Sequence, residues 1–151
     1  MLAQAAADNE ILRVENLSKE YPVRGGVFGR VTETIKAVNH VSFHVKKGET
    51  FSIVGESGCG KSTTEMCVLR LVEPTGGKIL FNQVDVLRLN KSQMSKLRRD
   101  IQIIFQDPYS SLNPKLTIKQ ILSEPLKINR VRPKSKIDEK IVSLLELVGL
   151  G

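Results

Sequence analysis

This sequence predicts an α/β fold, and three observations carry the prediction. A short apolar run, TFSIV at 50–54, stops at a glycine-rich turn, GESGCGKST at 55–63, and a helix-like segment follows to Leu71. A second apolar, β-branched run, IQIIF at 101–105, ends at Gln106, where an α/β sheet usually presents its ligand edge. The chain then changes period, with helical spacing over 116–122 and 137–150.

Taken in order, ILRVENL from Ile11 reads as a strand, and YPVRGGVFGR carries the proline and glycine punctuation of a loop. From His40 to Val45 polar and apolar residues alternate, with Val41, Phe43 and Val45 on one face and His40 and His44 exposed on the other. KKGE turns the chain into the run at 50–54. After the glycine-rich turn and its helix, EPTGGK is a turn and KILFN a strand. NKSQMSKLRRD reads as a short helix with Ser92 as its N-cap. DPYSSLNP is a loop, and in the last helix Ile137, Ile141, Leu144, Leu145 and Val148 share a face.

The turn carries the chemistry. Gly55, Gly60, Lys61 and Ser62 fit G-x-x-x-x-G-K-[ST] between a strand and a helix, the P-loop context. A polyphosphate needs several backbone N–H groups aimed at it from close range, so glycine suits positions 55, 58 and 60, where a Cβ would obstruct or φ turns positive. Lys61 adds a flexible positive charge, the new helix adds its N-terminal amides and dipole, and the Ser62 hydroxyl is the expected Mg²⁺ ligand. Nucleotide binding is the expectation.

Composition narrows the alternatives. A length of 151 residues suits one ordinary domain. The net charge of +7 is read as solvated lysine and arginine rather than a nucleic-acid surface, because five Phe and two Tyr offer little base stacking and no nucleic-acid motif is present. The basic stretch between Lys127 and Lys140 is likewise a solvated face. No apolar run approaches the roughly 20 residues of a membrane span, and the opening MLAQAAADNE lacks the form of a signal peptide, so a cytoplasmic chain is expected. Cys59 and Cys67 make neither a disulfide framework nor a metal pattern; Cys59 lies inside the turn and Cys67 reads as a small core residue.

With GESGCGKST and then IIFQDPYSSLNP, followed closely by EPL, the chain resembles the ATP-binding subunit of ABC transporters, in the branch of dipeptide, oligopeptide and nickel importers. The resemblance runs from about Ile11 to Gly151, leaving 1–10 as a tail. It implies the N-terminal part of a P-loop NTPase fold with an antiparallel β subdomain, an incomplete parallel core and an incomplete helical subdomain. It also implies ATP and Mg²⁺ as cofactors, with Gly55, Glu56, Ser57, Gly58, Cys59, Gly60, Lys61, Ser62 and Thr63 as the phosphate cradle and Thr63 near the α-phosphate. Tyr21 resembles the aromatic that stacks on adenine. Gln106 resembles the glutamine that reaches the Mg²⁺ and attacking water and relays nucleotide state. Glu65 departs from the family's small residue and puts an acid in the first turn of the phosphate-binding helix, where it is expected to point away.

The implied partners are transmembrane permease subunits, a second ATP-binding subunit in a homo- or heterodimer and, indirectly, an extracellular solute-binding protein. The implied place is the inner face of the cell membrane. None of Asp107, Glu124, Asp138, Glu139 and Glu146 ends an apolar run as a Walker B aspartate would, and no LSGGQ-like signature is present. The expectation is therefore a family member whose 151 residues bind ATP without turning it over, marginal or aggregation-prone alone. A non-catalytic nucleotide-binding or interaction module is the alternative. A small P-loop kinase is disfavoured by the Gln106 segment.

Overall fold

The computed structural model describes residues 9–25, 30–109, 111–129 and 133–150, and the chain divides into two compact units, 1–102 and 103–151. The expected 1–10 tail lies mostly outside the described residues, as do positions 26–29 of the expected loop and Arg130 and Arg132 of the basic stretch.

In the first unit, β1 (Glu10–Gly25), β2 (Arg30–Lys46), β3 (Gly76–Phe81) and β4 (Val84–Asp85) form one antiparallel sheet in the order β2-β1-β3-β4. Strand β1 continues through Tyr21 to Gly25, so part of the expected loop is strand: β2 supplies a partner as far as Arg30 opposite Gly25. The inward residues of β1, Val14 and Leu17, are three apart instead of two, and so are Val38 and Val41 on β2. Paired bulges explain the offset. Asn16 and His40 take left-handed backbone, with φ of 48° and 51°, and each shifts the alternation by one residue. Serines serve the displaced amides: Asn16 N–H donates to Ser42 Oγ at 2.8 Å and His40 N–H to Ser18 Oγ at 3.2 Å.

Where β3 crosses that bulge, only glycine fits. Gly77 has φ 97°, and a Cβ there would come within 2.6 Å of Asn16 O and 2.7 Å of Leu17 Cα. Asn82 and Gln83, both with positive φ, make the two-residue turn from β3 to β4.

Helix α1 (Lys61–Val68) joins the sheet's core through Cys67, which packs in one cluster with Val14, Leu17, Val38, Ile79 and Phe81. A 3₁₀ turn at Val86–Arg88 and helix α2 (Lys91–Leu97) add Val86 and Met94. Each such side chain contributes roughly 1.5–3 kcal/mol when fully buried. The N-cap of α2 is Asn90 and not Ser92: Asn90 accepts from the Gln93 amide while the Gln93 side chain accepts from the Asn90 amide, a closed capping box that Ser92, already helical, cannot make.

The expected parallel strands are corrected. Neither 50–54 nor 101–105 enters a sheet, because a strand exists only through a ladder with a neighbour and neither run has one among the described residues.

The second unit pairs α3 (Ile118–Ile128) with α4 (Lys134–Leu147). Helix α3 starts at the Thr117 cap and runs past the expected end at Leu122, carrying Pro125 within it. Ile137 and Ile141 are buried and Leu144 and Leu145 half-buried on one face of α4, whereas Val148 lies past the helix end and is exposed. Lys119 and Asp138 form an ion pair at 2.8 Å between the two helices.

Candidate functional site

The glycine-rich turn is a closed cradle built by its own lysine. Lys61 Nζ donates to the carbonyl oxygens of Gly55 at 2.7 Å and Glu56 at 2.6 Å, folding back across the loop that precedes it. Gly58 and Gly60 take φ of 81° and 96°, and a Cβ at Gly60 would fall on the carbonyl oxygen of Ala37 in β2. The sheet therefore presses against the turn at the point where the helix begins. Thr64, buried in the first turn of α1, secures the other side by donating from Oγ1 to Gly60 O at 3.0 Å.

Few of the loop's amides are used internally. Cys59 N–H donates to Glu56 O at 3.4 Å and Thr64 N–H to Gly60 O at 2.9 Å, while among the described residues the amides of Gly58, Gly60, Lys61 and Ser62 have no acceptor. Unpaired N–H groups at a helix start, with a lysine in the same loop, are the donor set that a phosphate requires. The residues present fit a polyphosphate. Ser62 is exposed one residue into the helix, and Thr63 is half-buried.

One wall of the site is apolar. A cavity of about 310 Å³ is lined by Phe43, Phe51, Ile53 and Val54 together with Gly60 and Lys61. Phe43 and Phe51 stack with ring centroids 4.9 Å apart and planes 8° from parallel. Among the described residues no cluster of acidic, histidine or cysteine side chains could hold a metal on its own.

The other expected residues distribute as follows. Tyr21 lies on β1 in the first unit, 40% exposed, with Lys19 Nζ 4.8 Å from its ring centroid. The expected acid in the first turn is corrected: α1 begins at Lys61, so Glu65 is its fifth residue and lies beyond that turn, with its side chain exposed. His40 and His44 are exposed on β2. Cys59 is exposed and Cys67 buried, and burial pushes the Cys67 thiol pKa up. Gln106 belongs to the second unit, where it is exposed beside Asp107. Sequence reasoning missed Ala37 and Thr64, which brace Gly60. Ala37 acts through its backbone, which no side-chain pattern reports.

The sequence pattern described as "ABC transporter" matches residues 38–151. The chain belongs to the ABC transporter family. Among its relatives in that family, it is 49% identical over 140 residues to the glutathione import ATP-binding protein GsiA of Escherichia coli K12, covering 93% of this chain and 22% of GsiA. It is 44% identical over 147 residues to the oligopeptide transport ATP-binding protein AppF of Bacillus subtilis 168, covering 97% of this chain and 45% of AppF. The chain thus spans less than half of either ABC relative. Its fold is similar to the dimeric ATP-binding cassette MJ0796 in a post-hydrolysis state bound to ADP and Pi, with TM-score 0.73, 28% identity, and coverage of 93% of this chain and 58% of that one. It is also similar to cbiO1 of Clostridium perfringens, part of the ABC transporter complex cbiONQ, with TM-score 0.66 and 28% identity over 94% of this chain and 51% of that one. The α/β fold is that of ABC ATPase cassettes.

Proposed function

We propose that this chain binds Mg-ATP as part of the energy-coupling subunit of a peptide-type ABC importer. One observation carries the reading: Lys61 is held in a loop whose amides at Gly58, Gly60 and Ser62 are unpaired, at the start of α1. The likeness to import subunits for glutathione and oligopeptides supports the transport role.

In this reading the segment from Gly55 to Thr63 wraps the phosphates, Lys61 exchanges a carbonyl contact for the β- and γ-phosphates, and Thr63 approaches the α-phosphate. The Ser62 hydroxyl holds Mg²⁺, which neutralises charge on the phosphate oxygens. Tyr21 stacks on adenine, and Gln106 couples the nucleotide to the rest of the transporter. Two such subunits bind ATP between them in this reading, and hydrolysis drives the permease subunits, with the solute-binding protein contacted only through those. The chain would work at the inner face of the membrane; among the described residues no helix is long and apolar enough to cross one. Tyr109 at 84% exposure, Leu112 at 50% and Ile118 at 63% support a docking surface for the permease after Gln106.

Within these residues the acids after Gln106 sit on helices or loops: Glu124 on α3, Asp138, Glu139 and Glu146 on α4, and Asp138 faces Lys119. That favours ATP binding without turnover by the 151-residue chain, and the same surface favours, as a second reading, a non-catalytic module that docks on membrane subunits.

Equilibrium binding of Mg-ATP to the 151-residue chain tests the reading beside Lys61→Ala. The substitution is expected to weaken binding by about 10- to 100-fold, the worth of a charged hydrogen bond of roughly 1.5–3 kcal/mol. Equal affinities in the two proteins would remove the cradle from the mechanism.

A further inference from the structure

Lys19 has no part in the phosphate cradle, yet its ammonium is fixed in place. It is half-buried, and Nζ donates to the backbone oxygen of Glu73 at 2.7 Å. From there it lies 4.8 Å from the centroid of the Tyr21 ring, inside the roughly 6 Å over which a cation is attracted to an aromatic face. The segment that supplies the carbonyl is tied to the same strand three more times. Thr75 N–H donates to Ser18 O at 2.8 Å, Thr75 Oγ1 donates to Ser18 O at 3.1 Å, and Glu20 N–H donates to Thr75 Oγ1 at 3.1 Å. That segment is also the exit from α1, since Leu71 and Val72 both donate to Met66 O. Helix α1, its exit turn and the strand that carries Tyr21 are one hydrogen-bonded assembly.

We propose that Lys19 is a positioning and selectivity residue for the nucleotide base: held on Glu73 O, its ammonium covers one face of Tyr21 and turns the other into an electron-poor platform for a purine. The inference rests on the nucleotide reading above. An aromatic face carries negative quadrupole charge, which repels the π-cloud of a base laid upon it. A cation on the far face draws that charge towards itself and lessens the repulsion. It also restricts the ring to one orientation, so less freedom is lost when a base stacks. Adenine, with a large electron-rich surface, gains more than a pyrimidine.

The test separates base from phosphate. The 151-residue chain is titrated with Mg-ATP, Mg-CTP and Mg-tripolyphosphate, which share a triphosphate and differ in the base. Tyr21→Ala is expected to lower the preference for ATP over tripolyphosphate by about tenfold, in line with the usual effect of removing a stacking side chain. Lys19→Met, similar in length and uncharged, is expected to lower that preference, and the preference for ATP over CTP, by about two- to fivefold. Tripolyphosphate affinity should not change, and Lys19→Arg should restore both preferences. If Lys19→Met leaves them intact while Tyr21→Ala removes them, the role given to Lys19 is wrong and the nucleotide reading stands. Equal losses for all three ligands in Lys19→Met would make Lys19 a structural prop and overturn the proposal. If the unaltered chain binds neither ATP nor tripolyphosphate, the nucleotide reading fails and the proposal fails with it.

Discussion

Replacing Gly60 by alanine would put a methyl group on the Ala37 carbonyl at a residue with φ 96°, and the neighbour that must yield is backbone. The expected cost is about 3 kcal/mol, combining positive-φ strain with displacement of β2 from the loop. Denaturant unfolding of Gly60→Ala checks it, and a loss under 1 kcal/mol would mean the loop is not braced by the sheet. Gly55 offers a contrast: its added Cβ would meet the Cys59 sulfur at 2.7 Å, a side-chain atom able to rotate away. The two cysteines should separate by reactivity. Cys59 is exposed, and a thiol-labelling reagent should modify it in the folded chain; Cys67 should react only on unfolding. Because the Cys67 pKa is raised above 9.0 in the folded state, the folded chain keeps a proton that the unfolded chain releases. Its stabilising contribution is complete below pH 9 and falls as pH rises beyond it, so Cys67→Ala should flatten the alkaline limb of the stability profile. At this scale the sequence is a good guide where spacing encodes chemistry, as in Gly55 to Ser62, and silent where backbone does the work, as at Ala37 or the Asn16 bulge.

Helix ends show the same division. Thr117 caps α3 and forms a capping box with Gln120, each accepting from the other's amide. Thr117→Ala should therefore destabilise the second unit by about 1 kcal/mol. Ser92→Ala, inside α2 with Asn90 as the true cap, should change stability by less than about 0.5 kcal/mol. Thermal melts monitored by circular dichroism compare the two, and the reverse order would contradict the capping assignment. Both caps follow the S/T/N-x-x-Q pattern, so the Asn90 and Gln93 spacing was legible and Ser92 was favoured only by residue type. The strands at 50–54 and 101–105 failed for another reason. Their apolar periodicity reports what each run would bury, and burial needs a neighbouring strand; Val54 is 91% and Ile104 89% exposed. Helix α3 runs past its expected end at Leu122 although Pro125, inside the helix, has no N–H to donate to the carbonyl of Ile121.

For the molecule as a whole, the fold class was legible; length alone suggests one domain, while the chain packs as units 1–102 and 103–151, a division that chain length does not express. The family was legible from two separated motifs and matches residues 38–151. The order β2-β1-β3-β4 places β1 between a neighbour that follows it directly and one that arrives only after the P-loop and α1. That order sets a timetable. The β1–β2 hairpin closes a local loop and can assemble in microseconds, whereas Val14 meets Ile79 only after a long intervening segment is gathered in. Helix α1 buries Cys67 against Val14, Leu17 and Val38 of the hairpin and against Ile79 and Phe81 of β3, so the cluster that holds it is complete only once β3 arrives. Pulsed hydrogen exchange during refolding should find the hairpin protected first and α1 and β3 protected together, later; protection of α1 ahead of β3 would refute this order. A chain emerging from synthesis would thus carry its P-loop motif for some time before owning a site.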